Sequence, residues 1–127
     1  MENTELSKAL FTAFENDDAE TVRSLCSPDM RISQNNGPPM DLDTLLAFSH
    51  SVHRVLRGFR YEDAIRSRTE TGFVEEHDLR GRLPDDSELS LAGCVVAVVS
   101  DGKVRQVREY FDGAAAAGLI KALSSLD

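Results

Sequence analysis

The chain has 127 residues, 41% of them hydrophobic and 28% charged, which is enough to bury one sizeable core in a single domain spanning residues 1–127. Its net charge of -8 and pI near 4.8 argue against nucleic acid or an anionic membrane as a partner, because either polyanion would be repelled. No apolar run approaches the ~18 residues that span a bilayer, and the N-terminal MENTELSK lacks the features of a signal peptide. These features predict a cytoplasmic protein, in which Cys26 and Cys94 are buried free thiols.

The first part of the chain has the apolar spacing of helices. Residues on one face of a first predicted helix are Leu6, Leu10, Ala13 and Phe14. Asp18 can cap a short second helix, which Pro28 ends. A short strand is predicted over Met30–Gln34, and the loop at residues 35–39 is the strongest break in the chain. Asp41 or Asp43 can cap a third helix that continues to about Arg57.

After Gly58 the apolar period becomes that of strands. Four long antiparallel strands in a meander are predicted, over residues 59–69, 73–83, 89–99 and 104–111. The third of these is almost entirely apolar, which is typical of a central strand covered on both faces. Asp112 can cap a last helix over residues 114–123, which begins with four alanines. This order of elements predicts an α+β domain in which the helices cover one face of the sheet.

Three motifs fall at spacings that are shared within a known family. They are Leu83-Pro84, Asp101-Gly102-Lys103 and Arg108-Glu109-Tyr110-Phe111-Asp112. With the element order, they resemble the SnoaL-like group of the nuclear transport factor 2-like superfamily, which includes ketosteroid isomerases, polyketide cyclases and limonene epoxide hydrolase. The resemblance implies a cone: a strongly curved antiparallel sheet around about three N-terminal helices, with a short C-terminal helix and a deep apolar pocket. It also implies a homodimer formed by the outer faces of the sheets, where Val96 and Val98 would otherwise meet water.

The catalytic positions of ketosteroid isomerases are not kept in this chain. The tyrosine of the first helix corresponds to Phe11, the aspartate base to Gln34 or a neighbour, and the protonated aspartate to Cys94 or Val95. None of these side chains can perform the required proton transfer, which argues against the steroid isomerase mechanism. Phe11 and Val95 are instead expected to contact a ligand in the pocket.

Acidic residues stand at positions that are functional in other members of the family. Aligned without gaps from Leu83-Pro84, the epoxide hydrolase pattern puts Glu76 at the arginine, Asp78 at the first aspartate and Glu109 at the second. Asn35 matches the asparagine that helps to hold the water. Two carboxyl groups that share an apolar pocket separate their pKa values, so one can act as an acid and the other as a base. The resemblance therefore predicts Glu109 as the base and Asp78 as the acid, with Glu76 and Asn35 contacting the ligand.

The alternation of side chains along the same strand supports a different assignment. Glu76 shares a face with Asp78, whereas Glu75 and His77 share the other face with apolar Phe73 and Leu79. Hydrophobicity alone would turn this second set inward and leave the first set in solvent. His77, beside Glu75 or Glu109, would then be an acid/base or hydrogen-bonding group that contacts the ligand.

The predicted partner is a small, largely apolar molecule, with isomerase, cyclase or hydrolase chemistry. The alternative is a ligand-binding or dimeric accessory protein without chemistry. No cofactor is predicted. A metal site is not predicted either, because the spacing of His50 and His53 is common in helices and no carboxylate stands at a clear distance from it.

Overall fold

The computed structural model describes residues 1–126, which form four helices and a six-stranded sheet. The elements are α1 (Asn3–Glu15), α2 (Ala19–Leu25), β1 (Cys26–Gln34), β2 (Met40–Asp41), α3 (Leu42–Val55), β3 (Arg57–Arg68), β4 (Gly72–Arg82), β5 (Glu88–Ser100), β6 (Lys103–Phe111) and α4 (Ala117–Ser124). None of these helices is long and apolar enough to cross a membrane.

Aspartates begin two of the helices. Asp18 accepts a hydrogen bond from the backbone N–H of Thr21 at 3.1 Å, and Asp41 accepts one from that of Thr44 at 2.8 Å. Both predicted caps are therefore confirmed, with Asp41 rather than Asp43 at the start of α3. Asp112 accepts from the backbone of Ala114, but residues 113–116 form a turn and the regular helix begins only at Ala117.

The sheet has the strand order β2-β1-β6-β5-β4-β3. Strands β3 to β6 form the predicted antiparallel meander. Between β5 and β6 the chain turns at Asp101 and Gly102, which both have positive φ, as tight hairpins require. The sheet is mixed rather than wholly antiparallel, because β1 lies parallel to β6.

The helices cover one face of the sheet, which we call the inner face. Helix α1 packs against β3 and β4, while α3 contacts β1 and α4. One group of buried residues lies near α1, and its most deeply buried members include Leu6, Leu10, Met30, Phe73 and Val95. A second group lies near α4, with Val52, Leu56, Leu83, Leu89 and Leu119. Together they form the two ends of the core.

The opposite, outer face of the sheet has no helix on it. Along β5, Leu91 and Val95 are buried on the inner face, whereas Val96 and Val98 on the outer face are only partly buried. The expectation that this strand is covered on both sides is therefore not met within the chain itself. Cys94 also lies on this outer face and is partly exposed, so it is not the core thiol that the sequence predicted.

Candidate functional site

A cavity of about 320 Å³ lies between the helices and the inner face of the sheet. Its walls are mostly aliphatic and aromatic and come from both groups of core residues. The polar side chains on the walls are those of Gln34, Ser49, Tyr61, His77 and Glu109. Within the described part of the chain, the lining contains no lysine or arginine. The cavity is thus suited to apolar, uncharged surfaces, with a few polar groups to orient them.

Strand register decides which acidic residues face this cavity. Glu75 on β4 lies opposite Val95 on β5, which in turn lies opposite Glu109 on β6. Because directly opposed residues share a face, all three belong to the inner face. His77, two residues after Glu75, is on the same face and lies opposite Gly93. The inner face therefore brings together Glu75, His77 and Glu109.

Asp78 and Glu76 lie on the outer face, so the predicted pairing of Asp78 with Glu109 is wrong. Asp78 lies opposite Ala92 and accepts a hydrogen bond from Arg80 at 3.1 Å, while Glu76 is exposed. The gapless alignment with epoxide hydrolases therefore assigns the wrong face of this strand to the cavity. A shift of one residue turns every side chain of a strand to the other face.

Asn35 lies outside the cavity lining, contrary to its expected role beside the ligand. Its side-chain oxygen accepts from the backbone N–H of Phe111 at 2.9 Å, and its amide group donates to the carbonyl of Phe111 at 3.0 Å. These two hydrogen bonds hold the end of β1 against the end of β6. Asn35 therefore shapes the sheet next to the cavity.

Glu109 lies half-buried in the cavity wall, whose other residues are mostly apolar and include Phe11 and Val95. Burial raises the pKa of its carboxyl group above the ordinary 4.5, and this outweighs the opposite effects of a hydrogen bond from Gln34 and of the nearby His77. The Gln34 amide donates to Oε1 at 2.8 Å. A carboxyl group in this setting retains its proton to a higher pH than one in water.

His77 and Glu75 form a buried pair beside Glu109. The Nδ1 atom of His77 lies 2.6 Å from Oε2 of Glu75, which is 0% exposed. The other ring nitrogen, Nε2, lies over Gly93 at the cavity wall, where an added Cβ would be 3.7 Å away. No described residue forms a hydrogen bond with Nε2. This nitrogen is therefore open to a molecule in the cavity.

Tyr61 is a polar wall residue that the sequence analysis missed. Its ring centre lies 4.3 Å from that of His77 and 5.5 Å from that of Phe11. Burial raises the pKa of its phenol well above the ordinary value, with further contributions from the charges of Glu109, Glu75 and Glu15. The phenol is therefore a hydrogen-bond donor at neutral pH, and within residues 1–126 it donates to no protein atom.

His50, His53 and Cys26 do not form a site of their own. His50 bonds Asp17 at 2.9 Å and His53 bonds the carbonyl of Phe14 at 2.6 Å, so the three histidines do not converge. In residues 1–126 no group of three or more metal-ligating side chains lies together. Cys26 lines the cavity, but burial raises the pKa of its thiol to about 11, which keeps it protonated and poorly nucleophilic.

The model of the SnoaL-like domain family matches residues 8–107. The chain belongs to this family. Comparison with curated protein sequences gives no significant match. The predicted family resemblance and the α+β fold with a short C-terminal helix are thus confirmed.

Solved structures with the same fold include proteins with several different activities. A candidate polyketide cyclase from Pseudomonas putida KT2440 is 21% identical, with a TM-score of 0.78 over 96% of this chain and 98% of its own. An LEH-like epoxide hydrolase of M. tuberculosis is 18% identical, with a TM-score of 0.75 over 97% and 92%. A protein from Catenulispora acidiphila DSM 44928 with a ketosteroid isomerase-like fold, in complex with trimethylamine, is 9% identical, with a TM-score of 0.79 over 99% and 100%. At these identities the likeness establishes the fold and leaves the activity to the chemistry of the cavity.

Proposed function

We propose that this SnoaL-like protein binds a small, largely apolar molecule in its cavity and catalyses proton transfer on it. Glu109 is the acid and His77 is the base. One observation carries the proposal: a carboxyl group with a raised pKa and an imidazole nitrogen without a hydrogen-bond partner line the same apolar cavity. Pairs of titratable groups that are held in opposite protonation states are the usual means of acid/base catalysis near neutral pH.

The chemistry that fits this pair begins at a carbon next to a carbonyl group. Nε2 of His77 takes the α-proton, while the O–H of Glu109 donates to the carbonyl oxygen on which negative charge develops. The phenol of Tyr61 is a second donor for that oxygen. Return of the proton to another carbon completes an isomerisation, and attack of the enol carbon on a second carbonyl completes a cyclisation. The same two groups could open an epoxide, with Glu109 protonating its oxygen and His77 activating water.

The relatives support this range of reactions without selecting one. They include candidate polyketide cyclases, an epoxide hydrolase and a candidate hydroxylase, AclR of Streptomyces galilaeus, so enzyme chemistry on small molecules recurs on this fold. The apolar lining would also suit a protein that binds such a molecule without changing it. This second function differs in one measurable respect, because binding alone leaves the α-protons of the ligand in place.

Exchange of α-protons with deuterium tests the proposal without knowledge of the natural substrate. Small enolisable ketones of increasing apolar bulk are incubated with the protein in deuterated buffer, and loss of the α-proton signal is followed by NMR. We expect exchange above the buffer rate, reduced about 100-fold or more in Glu109→Gln and in His77→Gln. Asp78→Asn is the matched control, because it removes an acid from the outer face of the same sheet.

Two results would oppose the catalytic assignment. Ketones that raise the melting temperature of the protein but exchange at the buffer rate would identify a binding protein without this chemistry. Exchange that Glu109→Gln and His77→Gln leave unchanged would show that other groups transfer the proton.

We also propose that two copies associate through the outer face of the sheet. A row of side chains crosses four strands there, and it consists of Ile65, Glu76, Cys94 and Tyr110. Ile65 is 62% exposed and Tyr110 is 36% exposed, and the partly buried Val96 and Val98 lie beside them. Exposed apolar side chains on a sheet face without a helix over it are typical of an interface between copies. A cytoplasmic location remains a prediction, in keeping with two unpaired cysteines.

A further inference from the structure

Glu75 is a carboxyl group with no exposure to solvent, yet three polar side chains lie within hydrogen-bond distance of it. Its Oε1 atom accepts from the hydroxyl of Ser7 at 3.0 Å and from Nε of Arg66 at 2.5 Å. Its Oε2 atom faces Nδ1 of His77. Arg66 lies directly opposite Glu75 on edge strand β3, and its side chain is 26% exposed and absent from the cavity wall. The guanidinium thus reaches a buried carboxylate from outside the site.

We propose that Arg66 is a positioning residue: it keeps Glu75 ionised and thereby holds His77 in the tautomer with its hydrogen on Nδ1, leaving Nε2 free to take a proton in the cavity. The assignment of Nε2 as the base rests on the proposed function. The tautomer itself does not, because it can be measured in the absence of any substrate.

The buried carboxylate of Glu75 requires a cation beside it, and Arg66 is that cation. An ionised carboxylate in a dry interior is very unfavourable unless an opposite charge or several hydrogen bonds compensate it. Ser7 supplies a neutral donor, and Arg66 supplies both a donor and the balancing positive charge. With Oε1 occupied by these two, the remaining oxygen has the imidazole as its partner. An ionised carboxylate can only accept, so Nδ1 must carry the hydrogen.

Loss of the positive charge of Arg66 would move the ring hydrogen of His77 from Nδ1 to Nε2. Without a cation, Glu75 would take up a proton in place of remaining charged and buried. A neutral carboxyl group can donate its own hydrogen to Nδ1, and the ring hydrogen would then reside on Nε2. In that state the nitrogen at the cavity wall is a donor and has no free electron pair to accept a proton.

The other groups that face His77 do not fix its tautomer. Phe11 and Tyr61 contact the faces and edges of its ring, with ring centres 4.9 and 4.3 Å away. The Glu109 carboxyl group takes its hydrogen bond from Gln34. These residues restrict where the ring lies, whereas the contact to Glu75 determines which nitrogen carries the hydrogen.

Long-range ¹H–¹⁵N correlation spectra of the full chain test this inference, since the two ring nitrogens differ in ¹⁵N shift according to which is protonated. The spectra are recorded near pH 8.5, where an ordinary imidazole of pKa about 6.5 is neutral. His77→Gln identifies the His77 signals among the three histidines. We expect the Nδ1–H tautomer to exceed the other about tenfold or more, as a hydrogen bond to a charged acceptor implies.

Arg66→Met is the decisive variant, and the expected result is that Nε2–H becomes the major tautomer. Arg66→Lys retains the charge and should restore the wild-type pattern. Arg68→Met is the matched control, because Arg68 lies on the same strand opposite Phe73 and its guanidinium is 3.9 Å from Glu2, so it pairs with a different carboxylate. If Arg66→Met does not fold, Arg66→Gln removes the charge with less change in polarity and is interpreted in the same way.

The proposal is overturned by a wild-type protein with mainly Nε2–H, by a neutral Arg66 variant that keeps Nδ1–H, or by a lysine variant that shifts as far as the neutral one. Failure of the proposed function gives a different pattern. In that case the tautomer would respond to Arg66 as expected while His77→Gln leaves α-proton exchange unaffected.

Discussion

Gln34 donates a hydrogen bond from Nε2 to Oε1 of Glu109 at 2.8 Å, from the end of β1 to the end of β6. These two residues are opposed in the parallel register of β1 and β6, so the amide meets a carboxyl group in a mostly apolar cavity wall. The bond favours the ionised form of Glu109, but loss of hydration favours the neutral form more strongly, so the pKa is raised. The balance between these two effects lets the carboxyl group retain its proton to a higher pH than an exposed glutamate does.

The raised pKa of Glu109 predicts a specific dependence of stability on pH. Its folded-state value lies above the ordinary 4.5 of the unfolded chain, so the folded state binds more protons between the two values. The stabilisation that Glu109 gives is therefore complete below about pH 4.5 and is lost as the pH rises through the folded-state pKa. Glu109→Gln remains neutral at every pH. Its free energy of unfolding, relative to wild type, should increase from pH 4 upward and then level off.

Urea unfolding of both proteins at a series of pH values measures this difference. Every other titrating group is common to the two chains, so subtraction isolates Glu109. A difference that falls with increasing pH would mean that the folded protein prefers the ionised carboxylate, and the acid role of Glu109 would then be wrong.

Substitution by alanine should have different effects at two glycines of the sheet, Gly93 and Gly72. A Cβ at Gly93 would meet His77 at ordinary contact distance, with Nε2 3.7 Å away, whereas a Cβ at Gly72 would lie 2.0 Å from the carbonyl oxygen of Ala97. We expect Gly93→Ala to change the free energy of unfolding by less than about 1 kcal/mol but to slow α-proton exchange, because its methyl group occupies the space at Nε2. Gly72→Ala should cost about 3 kcal/mol or more.

Thermal and chemical unfolding, with exchange rates on the folded variants, check both expectations. Rapid exchange in Gly93→Ala would indicate that substrates do not approach His77 over Gly93. A fully stable Gly72→Ala would contradict the close packing of β4 on β5.

The strand meander and the helix caps could be predicted because their signals are local. The inner face of β4 could also be predicted, because Phe73 and Leu79 share a face with Glu75 and His77. This apolar pattern gave the correct face, whereas the family alignment gave the wrong one. What the sequence does not contain is the reason why a run of four polar residues has two members in the core. That reason is a set of donors, Ser7 and Arg66, supplied by other elements.

Tyr61 lines the cavity with Phe59, two residues earlier, but this alternation does not continue along β3 to Ile65, which lies on the outer face. The pairing of β3 with β4 shifts twice, and Asp63 has a positive φ of 56° within the strand. Such irregularities interrupt the period of two on which inward and outward positions are predicted. The parallel pairing of β1 with β6 was equally hidden, because it joins segments about 75 residues apart. Contacts of this kind depend on the whole fold, so the position of Gln34 beside Glu109 could not be predicted from local pattern.

A charge on the outer face should prevent the proposed association. Val96 lies there opposite Val74 and Arg108, so Val96→Glu would bury a carboxylate between two sheets in a dimer. We expect wild type to sediment at about twice the chain mass of 14.0 kDa and Val96→Glu to sediment at that mass. Ser87→Glu adds the same charge at an exposed position between β4 and β5 and should leave the dimer intact. A wild-type monomer at all concentrations in analytical ultracentrifugation would rule out the interface.

The two cysteines should differ in reactivity, and one of them should report on that interface. Burial raises the pKa of Cys26 to about 11, so at pH 8 only about one thiol in a thousand is ionised, and its position in the core excludes reagents. Cys94 is partly exposed on the outer face, within the proposed contact surface. Titration with a chromogenic disulfide should therefore show one fast and one very slow thiol. The fast reaction should slow as the protein concentration rises, because association covers Cys94, and Val96→Glu should remove this dependence. A Cys94 rate that is independent of concentration in a protein shown to be dimeric would place the interface on another surface.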